Sequence, residues 1–178
     1  VIVDADPQGT ARDWRAATPD GIDLPNVVAV ERPQELDAVL RGLVADYVVI
    51  DTPAKASQIA AAVVRLADVA LIVLQPSGPD VWASAASVKL IKSRLSVGGA
   101  IDVAFLINRA SPMTKLAKLM KDGTWNGYDI DQLTATVGNR IAFAQAATDG
   151  VSVFETADIH AQAEILNIIK ELEAAQWL

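Results

Sequence analysis

The chain contains no cysteine and a single histidine, His160. Without cysteine it has no disulfide framework, no thiolate metal site and no cysteine nucleophile, which agrees with a reducing cytoplasm. With one histidine, in a polar stretch near the C-terminus, a serine hydrolase triad and a histidine-rich metal site are both disfavoured. The composition therefore points away from the common nucleophile-based hydrolases and from thiolate or imidazole metal centres.

Long hydrophobic runs are also absent. No stretch of about 20 uninterrupted apolar residues occurs, and no segment has the pattern of a signal peptide. The 178 residues are 52% hydrophobic, enough for one core of ordinary size, and no linker or repeat divides them. We expect a single domain over residues 1–178, a cytoplasmic location and no membrane association.

Short runs of β-branched residues alternate with alanine-rich segments of helical length. This alternation predicts an α/β fold with a doubly wound, mostly parallel sheet and helices on both faces. In such sheets, ligands bind at the carboxyl ends of the strands. The predicted strands are residues 1–5, 27–30, 47–50, 69–74 and 103–107, and the predicted helices are residues 33–44, 57–66 and 81–95.

Aspartates follow two of the predicted strands. Asp4 and Asp6 end the first strand, and Asp51 directly follows the apolar run YVVI. A carboxylate fixed at the end of a strand is a common way to hold hydrated Mg²⁺ beside a nucleotide phosphate. An isolated aspartate at such a position can instead cap the helix that follows. Two strand ends of matching type, each followed by a turn at Gly9 or Pro53, favour the magnesium site.

Five blocks of the sequence resemble, in order and spacing, the ParA/MinD family of deviant Walker ATPases, and most closely the small ParA-type partition ATPases without an N-terminal DNA-binding domain. The blocks are VIVDADPQG with the tryptophan-containing helix after it, YVVIDTPAK, ALIVLQPSGPDVWASAASV, AFLINRA and IAFAQAATDGVSVFE. The resemblance extends from Val1 to about Glu173. It implies a P-loop NTPase-like fold, ATP and ADP as ligands, Mg²⁺ as cofactor, and hydrolysis of ATP to ADP and phosphate.

The family motif that contacts the phosphates has no counterpart in this sequence. Family members begin with a strand, a loop of the form KGGxGKT and a helix before they reach DADPQG, and no Gly-Lys-Ser or Gly-Lys-Thr occurs here. The resemblance therefore implies a longer natural protein, of which residues 1–178 form a nucleotide-binding domain incomplete at its N-terminus. We expect the absent strand between the strands that end at Asp6 and Asp51, so that residues 1–178 alone are poorly stable and do not bind ATP.

The resemblance also assigns roles to the three aspartates. Asp6 matches the switch aspartate that orients the attacking water, so it is the expected catalytic residue. Asp4 beside it would support the magnesium shell or the lysine of the phosphate loop. Asp51 matches the second Walker carboxylate and would contact Mg²⁺ directly or through water.

Two further segments are expected near the nucleotide base. Asn108 and Arg109 follow the strand AFLI and resemble the pair that reads the adenine edge, where an amide donates and accepts in one plane. A turn residue at the strand end is the other interpretation of Asn108. By the same resemblance, a loop expected to close over the base comprises Ser152, Val153 and Phe154.

Positive charge is concentrated in one part of an acidic chain. The net charge is −7, yet residues 81–121 hold seven basic residues against one acidic residue. Lys115, Lys118 and Lys121 recur every three residues on one predicted helix, so they are candidates for contacting DNA phosphates without reading bases. The family resemblance implies a further phosphate contact at Arg140, which precedes another helix. A solvated helix face is the alternative for the lysines, and an intramolecular cap or ion pair is the alternative for Arg140.

The resemblance implies a switch in which ATP binds between two subunits and hydrolysis releases the homodimer. The protein would then use ATP-dependent dimerisation and non-specific DNA binding to segregate or position a plasmid, a chromosome region or a protein cargo on the nucleoid, with a ParB-like activator or cargo adaptor. Two other functions remain open. One is a metabolic ATP-dependent ligase-like enzyme of the same fold, related to dethiobiotin synthetase or to cobyrinic-acid amidation enzymes, and the other is a nucleotide-free scaffold.

The C-terminal residues 161–178 place apolar side chains among acidic ones. This pattern predicts a helix that docks on the domain. Its acidic polar face disfavours the membrane-binding MinD branch, whose members rely on a basic amphipathic tail.

Overall fold

The computed structural model describes residues 1–53, 57–111, 120, 125 and 127–178. Strands and helices alternate along the first 110 residues, as the sequence predicts. The strands are β1 (Ile2–Asp4), β2 (Val27–Ala29), β3 (Val49–Asp51), β4 (Val69–Leu74), β5 (Asp102–Ala110) and β6 (Asp131–Gly138). The α-helices are α1 (Thr10–Ala16), α2 (Pro33–Gly42), α3 (Gln58–Leu66), α4 (Gly78–Ser96), α5 (Ile141–Thr148) and α6 (Ile159–Ala174), and a 3₁₀ helix spans Val153–Glu155.

Proline and serine residues determine where three of the helices begin. Pro33 is the first residue of α2, a position that suits its fixed φ and needs no backbone N–H donor. Ser57 and Ser77 precede α3 and α4, and their hydroxyl oxygens accept hydrogen bonds from the backbone N–H groups of Ala60 (3.2 Å) and Asp80 (3.1 Å). Because Ser77 is the cap, α4 begins at Gly78, three residues before the predicted start.

Within the described residues the strands form two parallel three-stranded sheets, in the orders β2-β1-β3 and β4-β5-β6. This order corrects the expectation that a strand separates β1 from β3, because Asp4 and Asp51 are direct register partners. That expectation came from the family resemblance, because the order of strands along a chain does not fix their order in a parallel sheet. In the described part of the chain, β3 and β4 each keep one edge without a strand partner, where Val49 is 63% exposed and Val73 is 53% exposed.

Strand β5 is buried on both faces, which explains why helices cover both sides of its sheet. Phe105 and Ile107 point to one side and pack in a cluster with Ile91 of α4. Leu106 points to the other side and packs in a cluster with Ile168 of α6. The predicted doubly wound α/β architecture with helices on both faces is therefore confirmed.

The first sheet has its own core. Val3 of β1 is fully buried and lies in a cluster with Leu36 of α2 and Ile59 and Val63 of α3.

None of the helices among the described residues has the length and apolar character that crossing a bilayer requires.

Strand β6 was not predicted, because its residues DQLTATVG mix polar and apolar side chains and only Leu133 and Val137 are buried.

Helix α6 confirms the predicted docking helix and binds β6 through two carboxylates. Glu171 accepts hydrogen bonds from the backbone N–H groups of Thr134 (2.7 Å) and Ala135 (2.8 Å). Glu164, seven residues earlier on the same helix, accepts one from the N–H of Gly138 (2.8 Å).

Candidate functional site

The carboxyl ends of β1 and β3 lie side by side. The N–H of Ala5 donates to the backbone carbonyl of Asp51 (2.9 Å), and the N–H of Val30, just after β2, donates to the backbone carbonyl of Asp4 (2.9 Å). The sheet ladder therefore fixes Asp4 and Asp51 at the same edge, with the loop that carries Asp6 directly after them. This is the edge at which a parallel sheet of this type binds its ligand.

The carboxylate of Asp4 is buried and fully engaged within the chain. Its Oδ1 accepts a hydrogen bond from the backbone N–H of Asp6 (3.1 Å). Its Oδ2 accepts two from Arg12, one from the backbone N–H and one from Nε, each at 3.1 Å. The hydrogen bond to Asp4, followed by one to Glu31, raises the pKa of the Arg12 guanidinium above its ordinary value. The structure thus gives Asp4 the contacts of a residue that holds the loop after β1.

Asp6 lies in a tight turn that leads into α1. Its Oδ1 accepts a hydrogen bond from the N–H of Gln8 (2.9 Å), and its backbone carbonyl accepts one from the N–H of Gly9 (3.0 Å). Gly9 has a φ of 71°, a left-handed conformation that glycine adopts without a Cβ clash. Asp6 is half-buried.

The negative charges of Asp4 and Asp6 act on the carboxyl group of Asp51 at this edge. Asp51 as a whole is exposed, but partial burial of its carboxyl group is the largest cause that raises the pKa, and the negative charges of Asp4 and Asp6 raise it further. A cation would relieve this excess of negative charge, and carboxylate oxygen is the ligand that Mg²⁺ prefers. Across the described ranges, no group of three or more acidic or histidine side chains is placed to hold a metal ion by itself. Asp51 is the residue here that could hold a magnesium ion, since Mg²⁺ often takes one or two protein carboxylates and completes its shell with water and phosphate oxygens.

Asn108 and Arg109 lie inside β5 rather than after it. The register between β5 and β6 shifts between Ile107 and Ala110, which places both residues in the irregular part of the strand. The Asn108 Oδ1 accepts a hydrogen bond from the N–H of Arg109 (2.8 Å), and Arg109 has a φ of 51° and an exposed side chain. The strand is longer than the predicted residues 103–107, and both residues remain candidates for contacting the base.

The predicted base loop is attached to α1, the helix that follows Asp6. The indole N–H of Trp14 donates to the carbonyl of Val151 (3.0 Å), and the backbone of Gly150 packs against Ala17 just after α1. Within the loop, Ser152 Oγ accepts a hydrogen bond from the N–H of Phe154 (3.3 Å). The side chain of Val153 is buried and that of Phe154 is 42% exposed, so Phe154 is the member of this loop that can reach a ligand.

The residues predicted to contact DNA have different outcomes. Lys115, Lys118 and Lys121 lie outside the described residues. Arg140 is described, and its guanidinium donates through Nε (2.9 Å) and NH2 (2.8 Å) to Oε1 of Glu164. This contact favours the intramolecular ion pair that the sequence left open for Arg140.

Arg12 is the site residue that the sequence analysis did not identify. It lies eight residues after Asp4 and one helical turn after Gly9, a spacing that allows its backbone and side chain to reach one carboxylate. An arginine in a short polar helix has no distinctive pattern, so only the position of Asp4 beneath it reveals the contact.

Comparisons with known proteins agree with this geometry. No protein-family model matches the chain. The chain is 28% identical over 158 residues to the maintenance of carboxysome distribution protein A of Halothiobacillus neapolitanus, an alignment that covers 86% of this chain and 72% of that protein.

Solved structures share the fold. Apo McdA of Cyanthece superposes with a TM-score of 0.70 at 15% identity, covering 96% of this chain and 86% of that chain. The cell division ATPase MinD of Pyrococcus furiosus superposes with a TM-score of 0.66 at 18% identity, covering 98% of this chain and 86% of that chain. The ordered sequence blocks and the paired aspartates at adjacent strand ends agree with the resemblance to the ParA/MinD family of deviant Walker ATPases, and the superpositions show that the chain shares the fold of McdA and MinD.

Proposed function

We propose that the protein is a ParA-type ATPase that positions a cargo by ATP-dependent dimerisation on a DNA track. The observation that carries the catalytic part is the adjacency of the ends of β1 and β3, which gathers Asp6 and Asp51 at one edge of the sheet. The raised pKa of the Asp51 carboxyl, caused by burial and by Asp4 and Asp6, supports a cation at this edge. ATP and ADP are the proposed ligands and Mg²⁺ the proposed cofactor.

In this proposal the chain's own residues orient and hold rather than react covalently. Asp6 would accept a hydrogen bond from the attacking water, and its turn fixes the carboxylate by the bond from Gln8. Asp51 would hold Mg²⁺ directly or through water. Bound Mg²⁺ would neutralise charge on the phosphates during phosphoryl transfer. Asn108, Arg109 and Phe154 would contact the base.

The cargo we favour is a large protein assembly. The Halothiobacillus relative is named for the maintenance of carboxysome distribution, which supports protein cargo over a plasmid or a chromosome region. A cargo adaptor or ParB-like activator would then stimulate hydrolysis and release the homodimer. Nucleoid association would follow from the DNA track.

Replacing Asp6 with alanine tests the catalytic assignment. In the natural gene product we expect Asp6→Ala to bind ATP with nearly unchanged affinity, to remain dimeric with ATP, and to hydrolyse it about 100-fold more slowly or worse, because water orientation is lost. Asp13→Ala is a matched control, since Asp13 is an exposed carboxylate on the adjacent helix α1. Normal hydrolysis by Asp6→Ala would show that the residue has another role.

Salt-dependent DNA binding tests the track. With ATP and Mg²⁺ the protein should bind duplex DNA of any sequence, with affinity falling steeply as salt rises, and the ADP form should bind weakly. Lys115→Glu with Lys118→Glu should abolish binding while dimerisation persists. Arg140→Gln separates the two interpretations of that residue: reduced DNA affinity would support a phosphate contact, and unchanged affinity would leave it as the partner of Glu164 alone.

A further inference from the structure

The loop that carries Asp6 is held by one buried charge. Asp4 is 1% exposed, and a buried carboxylate is stable only with a full set of partners. Its two oxygens bind different partners: Oδ1 accepts a hydrogen bond from the N–H of Asp6, and Oδ2 accepts hydrogen bonds from the N–H and Nε of Arg12. Asp6 and Arg12 are therefore joined through a single rigid group at the end of β1.

Arg12 reaches this carboxylate across the turn at Gly9, which leaves space for the guanidinium. The N-cap of α1 is Gly9, and a Cβ placed there would lie 2.9 Å from NH2 of Arg12. Glycine thus leaves the room in which the guanidinium lies over the turn. The far end of the side chain donates through NH1 to Oε1 of Glu31 (3.3 Å), just after β2, so Arg12 spans the ends of two adjacent strands.

We infer that Arg12 is a positioning residue for Asp6, acting through Asp4. The inference rests on the proposed function, because it takes Asp6 as the group that orients water. It also changes the role of Asp4: a carboxylate whose oxygens are both committed to Asp6 and Arg12 orders the loop and is not a ligand of the cation. The cation is left to Asp51.

The kinetic test compares Arg12→Ala with Arg15→Ala in the natural gene product. Arg15 lies on the same short helix and makes no ion pair with another described residue, so its removal changes the charge equally without touching Asp4. We expect Arg12→Ala to lower kcat for ATP hydrolysis about 10- to 100-fold, the loss typical of a displaced catalytic group, with KM changed less than about threefold. Arg15→Ala should keep the wild-type kcat, and Arg12→Lys should recover part of it, because the ammonium still neutralises Asp4.

Amide hydrogen exchange provides a second readout that does not depend on activity. In Arg12→Ala the N–H of Asp6 should exchange faster, whereas the N–H of Val30, which donates to the backbone carbonyl of Asp4, should keep its protection. If Arg12→Ala does not fold, Asp4→Asn with Arg12→Gln serves instead, since this pair leaves no buried charge without a partner. That variant should show the same loss of kcat and the same faster exchange at Asp6.

Several outcomes would overturn the inference. A wild-type kcat in Arg12→Ala would do so, as would unchanged exchange at Asp6. A large rise in KM with unchanged kcat would show that Arg12 contacts the nucleotide directly. If the wild-type protein hydrolyses no ATP, the proposed function fails by itself, and exchange at Asp6 then decides whether Arg12 orders the loop.

Discussion

Replacing Gly150 with alanine should reduce the free energy of unfolding by about 2–5 kcal/mol. Two costs add at this residue. Its φ is 66°, and an L-residue in the left-handed region pays about 1–2 kcal/mol. A new Cβ would also lie 2.4 Å from the carbonyl carbon of Ala17 and 2.5 Å from the backbone nitrogen of Thr18. These are backbone atoms that cannot move away by changing rotamer, so overpacking adds about 1–3 kcal/mol.

Gly21→Ala is the matched control for this experiment. Gly21 has a φ of 85°, and a Cβ built there meets nothing within 4 Å. Its substitution therefore measures the conformational cost alone. Urea unfolding of both variants, followed by circular dichroism, should show Gly150→Ala less stable than Gly21→Ala by at least about 1 kcal/mol, with similar m-values. Equal losses in the two variants would refute the close contact between residue 150 and the end of α1.

Three further changes can be measured by the same unfolding assay. Trp14→Phe removes the N–H that donates to Val151 and should cost about 1 kcal/mol, whereas Trp82→Phe, at a residue 74% exposed, should cost almost nothing; equal effects would contradict the Trp14 contact. Glu171→Ala should cost about 1–3 kcal/mol, because two N–H groups of β6 lose a charged acceptor, and exposed Glu173→Ala should be neutral. The hydrogen bond from the N–H of Ala161 is the main cause that lowers the pKa of Asp158. The charged Asp158 carboxylate therefore stabilises the fold above the ordinary Asp pKa of about 3.9, and this contribution is lost as pH falls through the lowered pKa. Asp158→Asn should therefore be less stable than wild type at pH 7 and lose that difference in acid; a constant difference would contradict the shift.

The sequence predicted the features of the fold that depend on local pattern. The β-branched runs that end in Asp4 and Asp51 form parallel strands, as predicted, and their carboxylates meet at one edge because parallel strands share an edge. The expectation of another strand between them was wrong. The docking of α6 followed from the spacing of its apolar residues. These features need no knowledge of which strand neighbours which.

Features that depend on tertiary contacts could not be predicted from the sequence. Strand β6 escaped notice because carboxylates of α6, rather than a hydrophobic pattern, satisfy several of its N–H groups. The contact between Arg12 and Asp4 was missed because an arginine in a polar helix has many possible partners. The resemblance made Arg140 a candidate for contacting DNA and left an ion pair open, and its pairing with Glu164 became visible only when α6 was placed beside β6.

The two glutamates of α6 determine how this molecule can assemble with others. Among the described residues β6 is the last strand of its sheet, and an end strand with free N–H groups is a template on which another chain can add a strand. Here the N–H groups of Thr134, Ala135 and Gly138 are already bound by Glu171 and Glu164. A second copy could extend the sheet at this margin only by first displacing both carboxylates. Strand addition at this margin is therefore disfavoured, and the proposed homodimer is expected to join through another surface.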